Sequence, residues 1–151
     1  KDYAEQTIKN AKALATELNN LGFKVLGEKR GYTESHQTVV NVLDYGDGGT
    51  IEADLEKANI IVNRQLIPGA LKAGRHYMHP GGIRLGTSEI TRLGMKESEM
   101  KEIASLLKQV VVDKKDAGEI AAHVKEFKTD FKKTQYCFDN KLGAYEYVKL
   151  R

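Results

Sequence analysis

The chain has 151 residues, of which 40% are hydrophobic and 30% are charged, with a formal net charge of +3. This composition predicts one soluble domain with its own core and argues against a disordered chain. Lysine and glutamate alternate instead of forming a basic block, and no apolar run approaches the roughly 20 residues of a membrane span. We therefore expect no nucleic-acid partner and no membrane partner. The single cysteine, Cys137, excludes an internal disulfide and favours the cytoplasm.

The chain begins with a helical pattern and without methionine, in KDYAEQTIKNAKALATELNNLG. Apolar residues recur at every third or fourth position and predict a helix that ends at Gly22. A start inside such a pattern indicates a piece of a longer protein. The predicted buried face of the helix consists of Ala4, Ile8, Ala11, Ala15 and Leu18.

Short elements alternate through the middle of the chain. Residues 23–27 predict a short strand, and residues 37–43, which are rich in β-branched side chains, predict a longer one. Thr50 is suited to cap a short helix that continues to Lys57. Residues 58–64 predict a further strand.

Regular patterning then lapses from residue 65 to residue 81. A loop of this length inside a compact domain is uncommon and is often functional. The sequence GIRLG at 82–86 predicts a short strand, and Thr87 or Ser88 is suited to cap the next helical turn.

Two longer helices follow, each with an apolar stripe. The second begins at Asp116, whose spacing to Glu119 is that of a capping box. The tail from Thr134 onward is aromatic and ambiguous. Together the elements predict an α+β fold of two layers, with a three- or four-stranded, mostly antiparallel sheet and helices on one face. The stripes are Met100, Ile103, Ala104, Leu107, Val110 and Val111 in one helix, and Ile120, Val124, Phe127 and Phe131 in the other.

Some short motifs resemble ligand sites without meeting their requirements. GGIRLGTS lacks the lysine of a phosphate-binding loop, and DYGDGGT lacks the alternating ligands of a calcium loop. His76 and His79 share one loop but have no cysteine or carboxylate partner at ligand spacing, so no metal site is predicted and their role stays open. A packed free thiol is the expectation for Cys137.

Arg84 is the strongest candidate for a functional side chain. It lies between the apolar residues Ile83 and Leu85, and Gly82 and Gly86 permit close approach of backbone or ligand. The planar guanidinium is suited to bidentate capture of a carboxylate. Two interpretations remain open from these residues alone: a structural salt bridge, or an anchor for a ligand.

GGIRLGTSEITRLGM also resembles a signature of the serine hydroxymethyltransferase family, G-I-R-x-G-T followed by T-x-R-G. GYTESHQTVVNV resembles the family's G-G-T-D-N-H stretch, and NIIVNRQLIP resembles its I-T-x-N-K-N-x-x-P segment. The tail resembles archaeal members. The resemblance implies the C-terminal small domain of a fold-type-I pyridoxal-phosphate enzyme. Residues 1–22 would be the inter-domain linking helix and residues 23–151 the small domain, with the N-terminal large domain outside the chain.

The family interconverts serine and glycine and passes the one-carbon unit to a tetrahydropterin. The resemblance therefore implies pyridoxal phosphate bound by the large domain, a folate or tetrahydromethanopterin cosubstrate, and a homodimer. The family's T-T-x-H-K cofactor lysine has no counterpart here, so the chain alone is expected to be inactive. The alternatives are the small domain of another fold-type-I enzyme, an aldolase or acyltransferase, and a standalone non-enzymatic amino-acid-binding domain.

The family's site residues carry over to several positions. The arginine of G-I-R binds the substrate carboxylate, which implies that role for Arg84. The N-K-N segment implies pterin contacts for Asn63 and for Gln65, although Gln65 departs from the family's asparagine. Ser35 and His36 correspond to part of the active-site wall. No catalytic, cofactor-binding or metal-binding residue is expected within the chain itself.

Overall fold

A four-stranded sheet and five α-helices make up residues 1–136, the range that the computed structural model describes. The predictions for Cys137 and for the tail beyond Tyr136 lie outside this range. The strands are β1 (Lys24–Val25), β2 (Gln37–Asn41), β3 (Asn63–Gln65) and β4 (Gly82–Gly86). The helices are α1 (Asp2–Asn20), α2 (Gly48–Lys57), α3 (Ser88–Arg92), α4 (Glu97–Val111) and α5 (Ala117–Phe127), with 3-10 turns at Glu28–Arg30 and Lys128–Asp130.

The strand order is β1-β2-β4-β3, and every neighbouring pair is antiparallel. β4, the last strand within residues 1–136, therefore lies between β2 and β3. Arg84 stands opposite Val39 of β2 on one side and Asn63 of β3 on the other. The expected α+β fold with a small antiparallel sheet is confirmed.

The two faces of the sheet have different environments. Thr38 and Val40 of β2, with Ile83 and Leu85 of β4, are buried on the inner face, where the helices pack. Side chains alternate along a strand, so the residues between them lie on the opposite face. We call that side the open face: it consists of Gln37, Val39 and Asn41 of β2, Gly82, Arg84 and Gly86 of β4, and Asn63 and Gln65 of β3.

The buried side of α1 differs in part from the predicted face. Ala4 is exposed and Ile8 is only half-buried, whereas Thr7, Asn10 and Leu14 are buried. The prediction placed an apolar face inward, but the Asn10 side chain finds hydrogen-bond partners beyond β4 and so turns inward with the leucines. The three remaining predicted residues, Ala11, Ala15 and Leu18, are buried as expected.

Helix α2 begins two residues before the predicted cap. Asp47 is the N-cap, and its carboxylate accepts from the backbone N–H groups of Gly49 at 2.8 Å and Thr50 at 3.2 Å. Thr50 instead donates its hydroxyl to Asp47 at 2.8 Å, so the prediction of Thr50 as cap was wrong. A carboxylate satisfies more of the free N–H groups at a helix start than one hydroxyl does.

The strand predicted at 58–64 forms only at its far end, in β3. Asn59 has a φ of 60°, and its N–H donates to the carbonyl of Glu56 at 2.9 Å. Ile60 likewise donates to Leu55 at 2.9 Å. These bonds close the C-terminus of α2 and delay the extended backbone until Asn63.

The two C-terminal helices follow most of their predicted stripes, but α5 ends at Phe127, so Phe131 lies beyond it, and both phenylalanines are half-buried. In α4 all the predicted residues are buried except Ile103, which is half-buried, and Leu106 is buried in addition. In α5 the Asp116 carboxylate accepts from the Glu119 N–H at 3.0 Å, as the capping spacing predicts. Within residues 1–136, no helix is long and apolar enough to cross a membrane.

Candidate functional site

Arg84 occupies the centre of the open face. It is the middle residue of β4, which has hydrogen-bonded neighbours on both sides, so its backbone is held from two directions. Its side chain is half-buried, while Ile83 and Leu85 are buried on the inner face. The apolar neighbours thus anchor the strand in the core and direct the guanidinium toward the open face.

The guanidinium has no acidic partner in the described part of the chain. Its Nη2 donates to Oδ1 of Asn63 at 3.5 Å. No aspartate or glutamate among residues 1–136 lies within the 4.0 Å of an ion pair to it. The structural salt bridge is therefore not formed with any described residue, and most of the N–H donors remain for a ligand.

The glycines beside Arg84 have different neighbours. A Cβ at Gly82 would lie 2.5 Å from Cγ2 of Ile67 and 2.8 Å from the carbonyl oxygen of Val40. That space is therefore already filled by the chain itself. Gly86 is exposed, and a Cβ there would only reach 3.7 Å from Cδ2 of His36. A ligand can therefore approach the backbone closely at Gly86. At Gly82, glycine is required because the chain's own atoms occupy the space that a side chain would need.

Two amide side chains share the open face with Arg84. Asn63 is exposed and stands directly opposite Arg84 in β3. Gln65 is half-buried opposite Gly82, and its Nε2 donates to the carbonyl of Leu66 at 2.9 Å. Register and alternation bring all three polar side chains to one surface. The surface combines one cation with two uncharged groups that both donate and accept hydrogen bonds.

Ser35 and His36 precede β2 at the Gly86 end of the open face. Both are exposed. The Ser35 hydroxyl accepts from the backbone N–H of Gln37 at 3.2 Å, which commits it to a local turn. The His36 carbonyl accepts from the backbone N–H of Thr87 at 3.0 Å, and this bond brings the histidine beside Gly86.

The N-terminus of α2 supports the site in a way that the sequence analysis missed. The Gly48 N–H donates to the carbonyl of Pro80 at 2.7 Å. A Cβ at Gly48 would lie 2.1 Å from the carbonyl oxygen of Gly82, and one at Gly49 would lie 2.5 Å from that of Met78. The glycine pair after Asp47 is the signal in the sequence, because it lets the helix contact the backbone that leads into β4.

The two loop histidines have local partners. His79 Nδ1 lies 3.6 Å from Oδ1 of Asp47, and His76 Nδ1 accepts from the Met78 N–H at 3.3 Å. The hydrogen bond from the Thr50 hydroxyl is the largest of the effects that hold the pKa of Asp47 below its ordinary value of 3.8, and the charge on His79 acts in the same direction. Among the described residues, no group of three histidine, cysteine, aspartate or glutamate side chains could hold a metal ion.

Comparison with known proteins gives a consistent assignment. The family model described as serine hydroxymethyltransferase matches residues 1–107. The chain is 70% identical over 151 residues to a serine hydroxymethyltransferase of Nitrosopumilus maritimus strain SCM1, and 67% identical over 151 residues to that of Cenarchaeum symbiosum strain A. It covers 34% of each relative, so it spans about a third of their length.

A solved structure extends the similarity to the fold. The chain resembles the crystal structure of L-threonine transaldolase from Pseudomonas fluorescens in its internal aldimine state, with a TM-score of 0.79 and 34% identity. The match covers 93% of this chain and 31% of the transaldolase. The family inferred from the sequence motifs is confirmed. The chain belongs to the serine hydroxymethyltransferase family.

Proposed function

We propose that this chain is the C-terminal small domain of a pyridoxal-phosphate enzyme that interconverts serine and glycine. The one-carbon unit passes to a tetrahydropterin, either folate or tetrahydromethanopterin. Residues 1–22 act as the inter-domain linking helix and residues 23–151 as the small domain. The observation that carries the proposal is the Arg84 guanidinium, which has no acidic partner among residues 1–136 and lies on the open face.

Arg84 binds the carboxylate of the amino-acid substrate. A guanidinium makes two parallel charge-assisted hydrogen bonds to a carboxylate, which hold the substrate in one orientation. The open face suits a carboxylate, because the neighbouring amides of Asn63 and Gln65 carry no charge that would compete for Arg84. Pyridoxal phosphate, bound by the large domain, supplies the electron sink for bond cleavage at the α-carbon. The rotation that Arg84 imposes selects which bond at that carbon is cleaved.

The remaining site residues complete the second-substrate side. Asn63 and Gln65 contact the tetrahydropterin, and Ser35 and His36 form part of the active-site wall. Without the cofactor lysine of the large domain, the chain alone is inactive. Its partners are that large domain and a second copy of the whole enzyme, in the cytoplasm.

Substitution of Arg84 tests the proposal. The variants are made in a longer protein that contains this chain and has the full length of its relatives. Arg84→Ala and Arg84→Lys should each weaken serine binding by on the order of 100-fold, since lysine keeps the charge but loses the fork. Arg92→Lys is the matched control, because Arg92 is paired with Glu89 at 2.6 Å on α3. Unchanged serine affinity in Arg84→Ala would refute the carboxylate role.

A second candidate function comes from the structural neighbour, L-threonine transaldolase. Such an enzyme would use the same arginine for the substrate carboxylate and would need no tetrahydropterin. The two functions differ in one measurement: glycine formation from serine with and without tetrahydropterin. Turnover of L-threonine with an aldehyde acceptor and no pterin dependence would support the transaldolase instead.

A further inference from the structure

Glu52 of α2 and Arg64 of β3 form a two-point contact. One carboxylate oxygen of Glu52 accepts from the backbone N–H of Arg64 at 3.1 Å, and the other accepts from Nε of the same residue. The side chains are 19% and 24% exposed, respectively. Because β3 is an edge strand of three residues, the Arg64 N–H points away from β4, and Glu52 satisfies it.

The guanidinium of Arg64 also reaches the long loop, residues 66–81. Its Nη1 lies 3.8 Å from Sδ of Met78, and its Cζ lies 5.9 Å from the centre of the Tyr77 ring. Arg64 thus joins three elements: α2 through Glu52, the edge strand through its own backbone, and the loop through two side chains. Asn63 and Gln65 are its neighbours in sequence and point to the opposite face.

The long loop has two halves with different supports. In residues 67–74 the backbone hydrogen bonds stay within the loop, as from Ala73 N–H to the carbonyl of Gly69 at 3.1 Å, and one from Arg75 N–H to the carbonyl of Ala70 at 3.0 Å joins the two halves. Residues 75–80 are held in addition from outside the loop, by Arg64 and by the bond of 2.7 Å between Gly48 N–H and the Pro80 carbonyl. The Glu52–Arg64 pair therefore holds the second half and β3 together.

We propose that Glu52 and Arg64 are positioning residues for the second substrate. They hold β3 and residues 75–80 as one unit, and so place the amides of Asn63 and Gln65 beside Arg84. This inference rests on the proposed function, in which those amides contact the tetrahydropterin. Neither Glu52 nor Arg64 touches the amino-acid carboxylate. Their loss should therefore weaken binding of the tetrahydropterin and leave binding of serine unchanged.

Trypsin cleavage tests the structural half of the proposal in the 151-residue chain, independently of any activity. The loop offers one cleavage site in each half, after Lys72 and after Arg75. In Glu52→Gln, the ratio of cleavage after Arg75 to cleavage after Lys72 should rise about five-fold or more, because only the second half loses its support. General destabilisation would accelerate both sites and leave the ratio unchanged.

The matched control is Asp54→Asn, which removes an ion pair of 3.0 Å to Lys57 on the same helix. That pair is more exposed and touches neither β3 nor the loop, so the cleavage ratio should stay at its wild-type value. Arg64→Lys retains a cation without the Nε–H donor and should behave as Glu52→Gln does. An unchanged ratio in both Glu52→Gln and Arg64→Lys would overturn the positioning role.

Steady-state kinetics test the functional part of the proposal, in a longer protein that contains this chain and has the full length of its relatives. Glu52→Gln should raise the KM for tetrahydropterin on the order of ten-fold, with the affinity for serine unchanged. An equal loss of affinity for serine and for tetrahydropterin would show that the Glu52–Arg64 pair has only a structural role. If the wild-type protein needs no tetrahydropterin, the second-substrate assignment fails with the proposed function, while the cleavage ratio still decides whether the pair holds the loop.

Discussion

Asn10, in the middle of α1, donates both of its amide hydrogens to the segment that follows β4. One bond reaches Oγ1 of Thr91 at 2.8 Å, and the other reaches the backbone carbonyl of Met95 at 2.9 Å. Its Oδ1 accepts from Nε2 of Gln6 at 2.9 Å. Asn10 is 0% exposed, so these groups satisfy each other without water. The set of bonds can form in only one alignment of α1 against α3.

Replacement of Asn10 by leucine should therefore be costly despite the similar size of the side chain. The carbonyl of Met95 would lose its side-chain donor inside the core, which costs about 1–3 kcal/mol, while Oγ1 of Thr91 would keep its bond of 2.7 Å to the Thr87 carbonyl. Urea unfolding followed by circular dichroism measures the change. Thr16→Ala is the control, because Thr16 is an exposed residue of the same helix and its loss should cost less than about 1 kcal/mol. A leucine variant as stable as wild type would contradict the argument.

Gly48 should not tolerate alanine. A Cβ at this position would lie 2.1 Å from the carbonyl oxygen of Gly82 and 3.0 Å from its carbonyl carbon, and backbone in a central strand has no room to move. We expect a loss of about 1–3 kcal/mol or more in the free energy of unfolding. Gly118→Ala, in the first turn of α5, is the control, because a Cβ there would meet only a side-chain atom, Oδ1 of Asp116 at 3.1 Å, and should cost far less than at Gly48. Similar unfolding midpoints for both variants would refute the proposed close contact.

Asp47 should make the stability of the chain depend on acid pH. Its pKa is lowered, chiefly by the Thr50 hydroxyl, so the folded state favours the carboxylate. That stability is fully present above the ordinary value of 3.8 and is lost as pH falls through the lowered pKa. Wild type should exceed Asp47→Asn in stability near neutral pH, and the difference should shrink as the carboxyl is protonated.

Unfolding curves of the two proteins over a range of acid pH give this difference directly. The pKa of Glu97 is also lowered, mainly by a backbone hydrogen bond, and it acts in the same direction. Subtraction of the two curves removes that contribution, since both proteins carry Glu97. A difference that does not change with pH would show that Asp47 does not stabilise the fold through its charge.

Gln65→Ala separates the two substrates of the proposed reaction. In a protein at the length of the relatives, it should raise the KM for tetrahydropterin several-fold, because an amide that contacts the pterin is removed. Binding of glycine should be unaffected, since its carboxylate is held by Arg84. Gln109→Ala is the control, because Gln109 lies on α4, away from the open face, where its Nε2 lies 3.4 Å from Oγ of Ser105. Equal loss of both functions would argue against a pterin contact at Gln65.

The sheet and its central arginine were predictable from local patterns. β4 has the bounds that GIRLG predicts, and β2 follows from its β-branched residues, because a strand needs only local alternation to be recognised. Two inward-facing apolar residues around Arg84 were enough to assign its face. The family motifs implied pterin contacts for Asn63 and Gln65, a role that stays a prediction; that both lie on the same face as Arg84 is a finding of the register.

The features that local patterns missed depend on distant partners. Asn10 turns inward because of Thr91 and Met95, far away in the sequence, and no periodicity records such a bond. Glu52 looks like an ordinary helix-surface residue until α2 is placed against β3. The late start of β3 follows from the left-handed backbone at Asn59, a residue type that tolerates that conformation without requiring it.

The strand order also determines when the open face can exist during synthesis. β2 and β3 both pair with β4 and not with each other, yet β4 is the last of the four described strands to leave the ribosome. Before it emerges, only the two-residue ladder between β1 and β2 can form, and so short a pairing is unstable alone. A nascent chain that ends at Gln65 already contains both amides of the site but no surface that aligns them. The strand that completes the described sheet is the one that carries Arg84, so the open face and the sheet form together.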